Sequence, residues 1–236
     1  MKTIILAGGL GTRISEETET KPKPMVLLDD KPILWHVMNI FAIQGFDDFI
    51  IATGYKGEVI HDWVESLDSP WKIKAYDTGL DTQTGGRIRK CMSLFPTETM
   101  FVTYGDGLAN VDLNSLLRFH KIHNRAATVT AVRPPARFGV LESKNGLVTH
   151  FGEKRQSDAG WINGGFFLLE PSVTEYIHAD SEPFEAGAIP RAVQAQQLAG
   201  FHHEDFWQPM DTLRERNELA ELATQSQPPW LKINTL

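Results

Sequence analysis

The chain is short of cysteine, of basic charge and of long apolar runs. Its single cysteine, Cys91, cannot form an internal disulfide, a CxxC motif or a Cys/His metal spacing. Lys and Arg number 23 against 30 Asp and Glu, a formal charge of −7, which argues against a surface that gathers nucleic acid by charge alone. No apolar run approaches the roughly 18 residues that span a bilayer. The nearest thing to a leader, Lys2 followed by Ile4, Ile5, Leu6 and Ala7, is cut by Gly8, Gly9 and Arg13. Internal repeats, heptads and Gly/Pro/Ser linkers are also missing. At 236 residues the expectation is one soluble, cytoplasmic domain covering 1–236, with a sizeable core and with neither a membrane nor a nucleic acid as partner.

What is present is alternation. TIILA predicts a first strand, and PILWHVMNIFAIQGF a helix with Pro32 suited to its first turn and Gly45 to its end. DDFIIAT, WKIKAYD and TMFVTYGDG predict further strands, separated by the helical patterns KGEVIHDWVESL and GGRIRKCMSLF. VDLNSLLRFHKIH then predicts another helix. This is the pattern of an α/β fold with a mostly parallel sheet. Beyond ATVTAVRPP the pattern becomes mixed, with a hairpin centred on Asn145-Gly146 and a strand INGGFFLLE. PSVTEYI and PFEAGAIPRAVQAQQL predict helices, and FHHEDFWQPMDT a strand entering the last helix, LRERNELAEL.

The first strand ends in LAGGLGTR, with KPKP close behind. Glycines after a strand bring backbone N–H groups together in a nest that holds phosphate oxygens. A dinucleotide fingerprint would need glycine where Ile14 stands, and Gly-Lys-Ser/Thr is absent. An ordinary tight turn is the simpler alternative. Arg13 offers a planar fork and Lys23 a point charge stiffened by Pro22 and Pro24. Together with the glycines they fit a triphosphate.

Asp106, flanked by Gly105 and Gly107, follows an apolar strand and is expected at its carboxyl end, where ligands of open α/β sheets collect. Asp211 lies where another expected strand meets a helix. Two carboxylates from separate strands suit Mg²⁺, although a turn aspartate and a helix N-cap would explain the same residues. Asn163 beside Gly164 and Gly165 suits hydroxyl recognition and Lys154 a monophosphate, where a bulge and a surface pair are equal alternatives, and Thr84 with Gly85 and Gly86 suits a base or phosphate pocket, with ordinary helix entry as the even rival.

In order along the chain, LAGGLGTR, KPKP, TGGR, YGDG, EK, NGG and FWQPMDT closely resemble the sugar-1-phosphate nucleotidyltransferases. SEET, PILWH, GYKG, RFG and INGGFF look like the cytidylyl branch. The resemblance implies a Rossmann-like, mostly parallel sheet of GT-A-like type with a mixed-strand sugar-binding part, and a homo-oligomer. It also implies a Mg²⁺-dependent reaction of CTP with a small phosphorylated acceptor, glucose 1-phosphate first. It gives the nucleotide and its phosphates to Leu6, Gly8, Gly9, Gly11, Thr12 and Arg13, the reacting phosphates to Lys23, and the base and ribose to Thr84 and Gly86. Asp106 and Asp211 would hold Mg²⁺, Asp106 also touching the nucleotide, and Glu153, Lys154, Asn163 and Gly164 the sugar 1-phosphate. Two departures stand out: Arg155 replaces the usual proline after Glu-Lys, and the link after Ser66 is shorter than in the family, where a longer segment reaches towards a neighbouring subunit. A nucleotide-sensing regulatory subunit and a glycosyltransferase are the alternatives of other classes.

Overall fold

Alternation of side chains in the first strand sets the layers. Ile4 and Leu6 enter one buried cluster and Ile5 the other, as a strand with both faces covered requires. The computed structural model describes residues 1–11, 15–134, 139–144, 147–153 and 160–233. Its strands are β1 (Lys2–Leu6), β2 (Leu27–Leu28), β3 (Lys31–Pro32), β4 (Asp48–Thr53), β5 (Lys72–Asp77), β6 (Met100–Tyr104) and β7 (Gly107–Ala109), followed by β8 (Ala127–Val132), β9 (Gly139–Lys144), β10 (Leu147–Glu153), β11 (Ile162–Leu169), β12 (Leu198–His203) and β13 (Trp207–Pro209). The helices are α1 (Ser15–Thr18), α2 (Ile33–Ala42), α3 (Gly57–Ser66), α4 (Thr84–Ser93), α5 (Leu113–His123), α6 (Ile189–Gln194) and α7 (Leu213–Ala223).

Seven strands form the central sheet in the order β12-β8-β11-β6-β1-β4-β5. Every neighbouring pair is parallel except the two made by β11, so the expected mixed α/β architecture with a mostly parallel sheet is observed. One face packs α2, α5 and α7 around Phe41, Phe101, Phe166 and Trp230. The other packs α4 and the 171–188 segment around Ile88, Phe167 and Phe184. Each such side chain taken fully from water contributes about 1.5–3 kcal/mol, which is why the sheet's position is fixed by its two apolar faces. Among the described residues no helix is long and apolar enough to cross a membrane.

The second half corrects three expectations. PSVTEYI forms a 3₁₀ turn, Pro171–Tyr176, and PFEAGAIPRAVQAQQL is divided into a π turn, Phe184–Ala188, and α6. Pro183 and Pro190 supply no backbone donor to a longer ladder. FHHEDFWQPMDT is two strands, since β12 joins the central sheet beside β8 while β13 leaves it to pair with β7. The hairpin is present as β9 paired with β10, and Asn145-Gly146 at its tip lie outside the described residues.

Candidate active site

Lys23 sits on the short 3₁₀ turn Lys23–Met25, entered from Pro22 in an extended conformation. Prolines on both sides hold that turn, and only 9% of Lys23 is exposed. Its ammonium donates to Asp106 Oδ2 at 2.6 Å and to Asp211 Oδ1 at 2.8 Å. Burial disfavours the charge of Lys23, but attraction and hydrogen bonding to Asp106 and then Asp211 outweigh it, raising its pKa above that of an ordinary lysine.

The two aspartates meet because of a small ribbon. β6 delivers Asp106 at the carboxyl end of a parallel strand, and β13 pairs with β7 so that Pro209 faces Gly107. The Met210 N–H then donates to the Asp106 carbonyl at 2.8 Å, which sets Asp211 beside Asp106. Asp211 is not the helix cap. Thr212 is, in a capping box with Glu215, and Glu215 Oε2 also accepts the Asp211 N–H at 2.8 Å. Two carboxylates that already share one cation are a donor set suited to a divalent ion that keeps waters and phosphates for its other positions.

Above this cluster lies a cleft of about 870 Å³ lined by segments 6–11, 80–84 and 104–106, with Lys23, Arg87 and Asp211. That volume is in the range of small-molecule sites. The structure thus brings Leu6, Gly8, Gly9, Gly11, Lys23, Thr84, Asp106 and Asp211 to one cleft. Gly11 has φ +65°, which glycine adopts without strain. Around Gly9 nothing lies within 4 Å of where a Cβ would be, so its lack of a side chain leaves open space at the cleft.

Other expected residues fall elsewhere. Gly86 is buried, and a Cβ there would lie 2.3 Å from the Asp180 carbonyl oxygen, so it serves close packing of α4 and does not line the cleft. Asn163, which is exposed, and Gly164, which is buried, are not among the residues that line the cleft; they lie at a register shift in β11, where Asn163 Nδ2 donates to the Tyr104 hydroxyl at 3.1 Å and Tyr104 itself lines the cleft. Thr12, Arg13 and Lys154 lie outside the described residues. Glu153 is the last residue of β10.

Arg87 was not among the expected site residues. Only 4% exposed, it donates from Nη2 to the Gly8 carbonyl at 2.9 Å and from Nη1 to the Thr53 carbonyl at 2.7 Å and to Thr78 Oγ1. Burial lowers its pKa from the ordinary arginine value, with Asp77 acting the other way. A sequence signal exists: an arginine four residues before Cys91 shares the buried stripe of α4 with it, where a charge needs a specific partner.

The nucleotidyl transferase family model matches residues 2–218. A glucose-1-phosphate cytidylyltransferase of Salmonella typhimurium is 42% identical over 253 residues, covering 98% of this chain and 98% of its own. The Salmonella typhi protein of the same description matches to the same extent. Among solved structures, HddC from Yersinia pseudotuberculosis complexed with GMP-PN superposes with a TM-score of 0.73 at 24% identity, over 93% of this chain and 98% of that one, a likeness of fold.

Proposed function

The chain belongs to the nucleotidyl transferase family, and from that premise we propose that it joins CTP to glucose 1-phosphate, giving CDP-glucose and pyrophosphate. The choice of base and acceptor is supported by the Salmonella relatives, which are glucose-1-phosphate cytidylyltransferases. The observation that carries the chemistry is the convergence of Asp106 and Asp211 on one cation beneath a glycine-walled cleft.

In this reading a phosphate oxygen of glucose 1-phosphate attacks the α-phosphorus of CTP in line. The bond from that phosphorus to the bridging oxygen of the β-phosphate breaks, pyrophosphate leaves with the electron pair, and no covalent enzyme intermediate forms. Such transfers depend mainly on positioning and charge stabilisation. Gly8, Gly9 and Gly11 present backbone to the nucleotide phosphates, and Lys23 neutralises charge at the reacting centre. Arg13, by resemblance, forks onto the triphosphate, and Lys154 holds the attacking phosphate. Thr84 borders the base and ribose, and Glu153, Asn163 and Gly164 the sugar. Asp106 and Asp211 are the residues that would hold Mg²⁺, which when bound supplies further neutralisation of the phosphates.

The test is pyrophosphate release from purified protein with Mg²⁺ and glucose 1-phosphate, comparing CTP with UTP, TTP, GTP and ATP. Release with CTP is the expected result, and release only with another nucleotide, or with none, overturns the proposal.

A further inference from the structure

Glu185 belongs to none of the motifs that pointed to the site. It is an exposed residue of the π turn Phe184–Ala188, yet its carboxylate holds two residues of the cleft wall. Thr84 Oγ1 donates to Oε2 at 2.8 Å and the Tyr104 hydroxyl donates to Oε1. Thr84 also accepts the Phe184 N–H at 2.7 Å, so its hydroxyl is held from both sides. The Tyr104 hydroxyl in turn accepts from Asn163 Nδ2 at 3.1 Å, and Asn163 Oδ1 accepts the Gly165 N–H at 2.8 Å.

Every link in this chain has a direction. An ionised carboxylate only accepts, so the single proton of Tyr104 goes to Glu185 and the phenol oxygen is left to accept. A backbone N–H only donates, so Asn163 keeps its oxygen on Gly165 and its amide cannot flip. One proton of Asn163 Nδ2 is given to Tyr104, and the other belongs to an exposed side chain.

We propose that Glu185 is a positioning residue that sets acceptor specificity: by taking the Tyr104 proton it fixes the direction of that link, so that the phenol oxygen accepts from Asn163 Nδ2 and holds in place the amide that the Gly165 N–H orients, with its other N–H presented to a hydroxyl oxygen of the acceptor's sugar ring. The inference rests on the cytidylyltransferase reading and on the assignment of Asn163 to the sugar. Its first consequence is kinetic. Loss of the direction weakens acceptor binding and leaves the nucleotide side alone, because Thr84 keeps its bond from the Phe184 N–H.

The experiment compares wild type, Glu185→Ala, Tyr104→Phe and the double variant, measuring kcat and both KM values with CTP and glucose 1-phosphate, with melting curves as a fold control. Glu185→Ala is expected to raise KM for glucose 1-phosphate about tenfold, the scale of one hydrogen bond, while kcat and KM for CTP stay within about twofold. Tyr104→Phe should raise the KM for glucose 1-phosphate by as much, and the double variant should raise it no further than Tyr104→Phe alone, since both changes break one chain. With monodeoxy analogues of glucose 1-phosphate, the wild type should penalise the loss of one particular hydroxyl and Glu185→Ala should shrink that penalty. Should Glu185→Ala melt early, Tyr104→Phe and its deoxy-analogue profile carry the test. An unchanged acceptor KM in a folded variant, or additive effects in the double variant, overturns the inference alone. Wild-type protein that releases no pyrophosphate from CTP with this acceptor overturns the cytidylyltransferase reading and the inference with it.

Discussion

The guanidinium of Arg87 occupies the space a side chain on Gly8 would need: a Cβ at Gly8 would lie 2.3 Å from Arg87 Cζ. The buried arginine and the glycine loop are therefore one unit, and Gly54 is bound to it in the same way, with a clash distance of 2.5 Å. Gly8→Ala should destabilise the protein by about 1–3 kcal/mol through overpacking, and Arg87→Ala by about 1–3 kcal/mol for each buried carbonyl left without a donor. Thermal melts of both variants and of Gly8→Ala/Arg87→Ala check this. The double variant should cost less than the sum, and strict additivity would contradict the shared space.

Asp106→Asn and Lys23→Ala should each lower turnover by about 10²–10³-fold, the scale of losing one preorganised electrostatic group. Both proteins should still fold, since the cluster lies at the cleft and outside the two apolar layers. Steady-state kinetics alongside circular dichroism reads both. Near-normal turnover in either variant would remove that residue from the catalytic machinery.

The raised pKa of Lys23 fixes the sign of one pH effect. A group whose folded pKa lies above its unfolded value of 10.5 contributes stability that is complete below that value and is lost as pH rises through the folded pKa. The difference in melting temperature between wild type and Lys23→Met should therefore stay level from neutral pH to about pH 9 and narrow at higher pH. A difference already shrinking between pH 7 and 8 would mean that the ammonium is not held as described.

Removal of divalent ions should separate activity from folding. Because Lys23 already bridges Asp106 and Asp211 and offsets part of their repulsion, the fold is expected to survive without a metal. A chelator should abolish pyrophosphate release and leave the melting temperature within about 2 °C, less than the shift expected for 1 kcal/mol. A chelator-induced fall of 10 °C would assign a metal a structural role instead.

The elements legible in the sequence were those whose apolar spacing was long and regular, such as β1, β4, β6, α2 and α5. The glycine loop and Asp106 were legible because each follows directly on such a strand. Asp211 reaches the cleft, and its rival role as helix cap is excluded, since the capping box of Thr212 and Glu215 explains the helix start without it. The 171–212 region was read less well, because prolines break its periodicity and because no local pattern marks where β13 leaves the central sheet for β7. Gly86 belongs to a motif, TGGR, whose two glycines both serve close packing, Gly85 against the Glu182 carbonyl and Gly86 against the Asp180 carbonyl, and nothing local in the sequence distinguishes that from a glycine at a pocket. Glu185 could not be found from spacing at all. Its partners Thr84 and Tyr104 are 101 and 81 residues away.

Met210, which has no part in the chemistry, is wholly buried between Pro209 and Asp211. Met210 and Asp211 follow directly on β13, and the Met210 N–H is bonded to the Asp106 carbonyl, so a slip of β13 by one residue against β7 would break that bond and draw Met210 out of its buried place. The apolar side chain therefore acts as a locating pin for the acid beside it. The fidelity of the carboxylate pair is set by hydrophobic burial, and a substitution that makes position 210 polar would misplace the acid next to it without touching either aspartate.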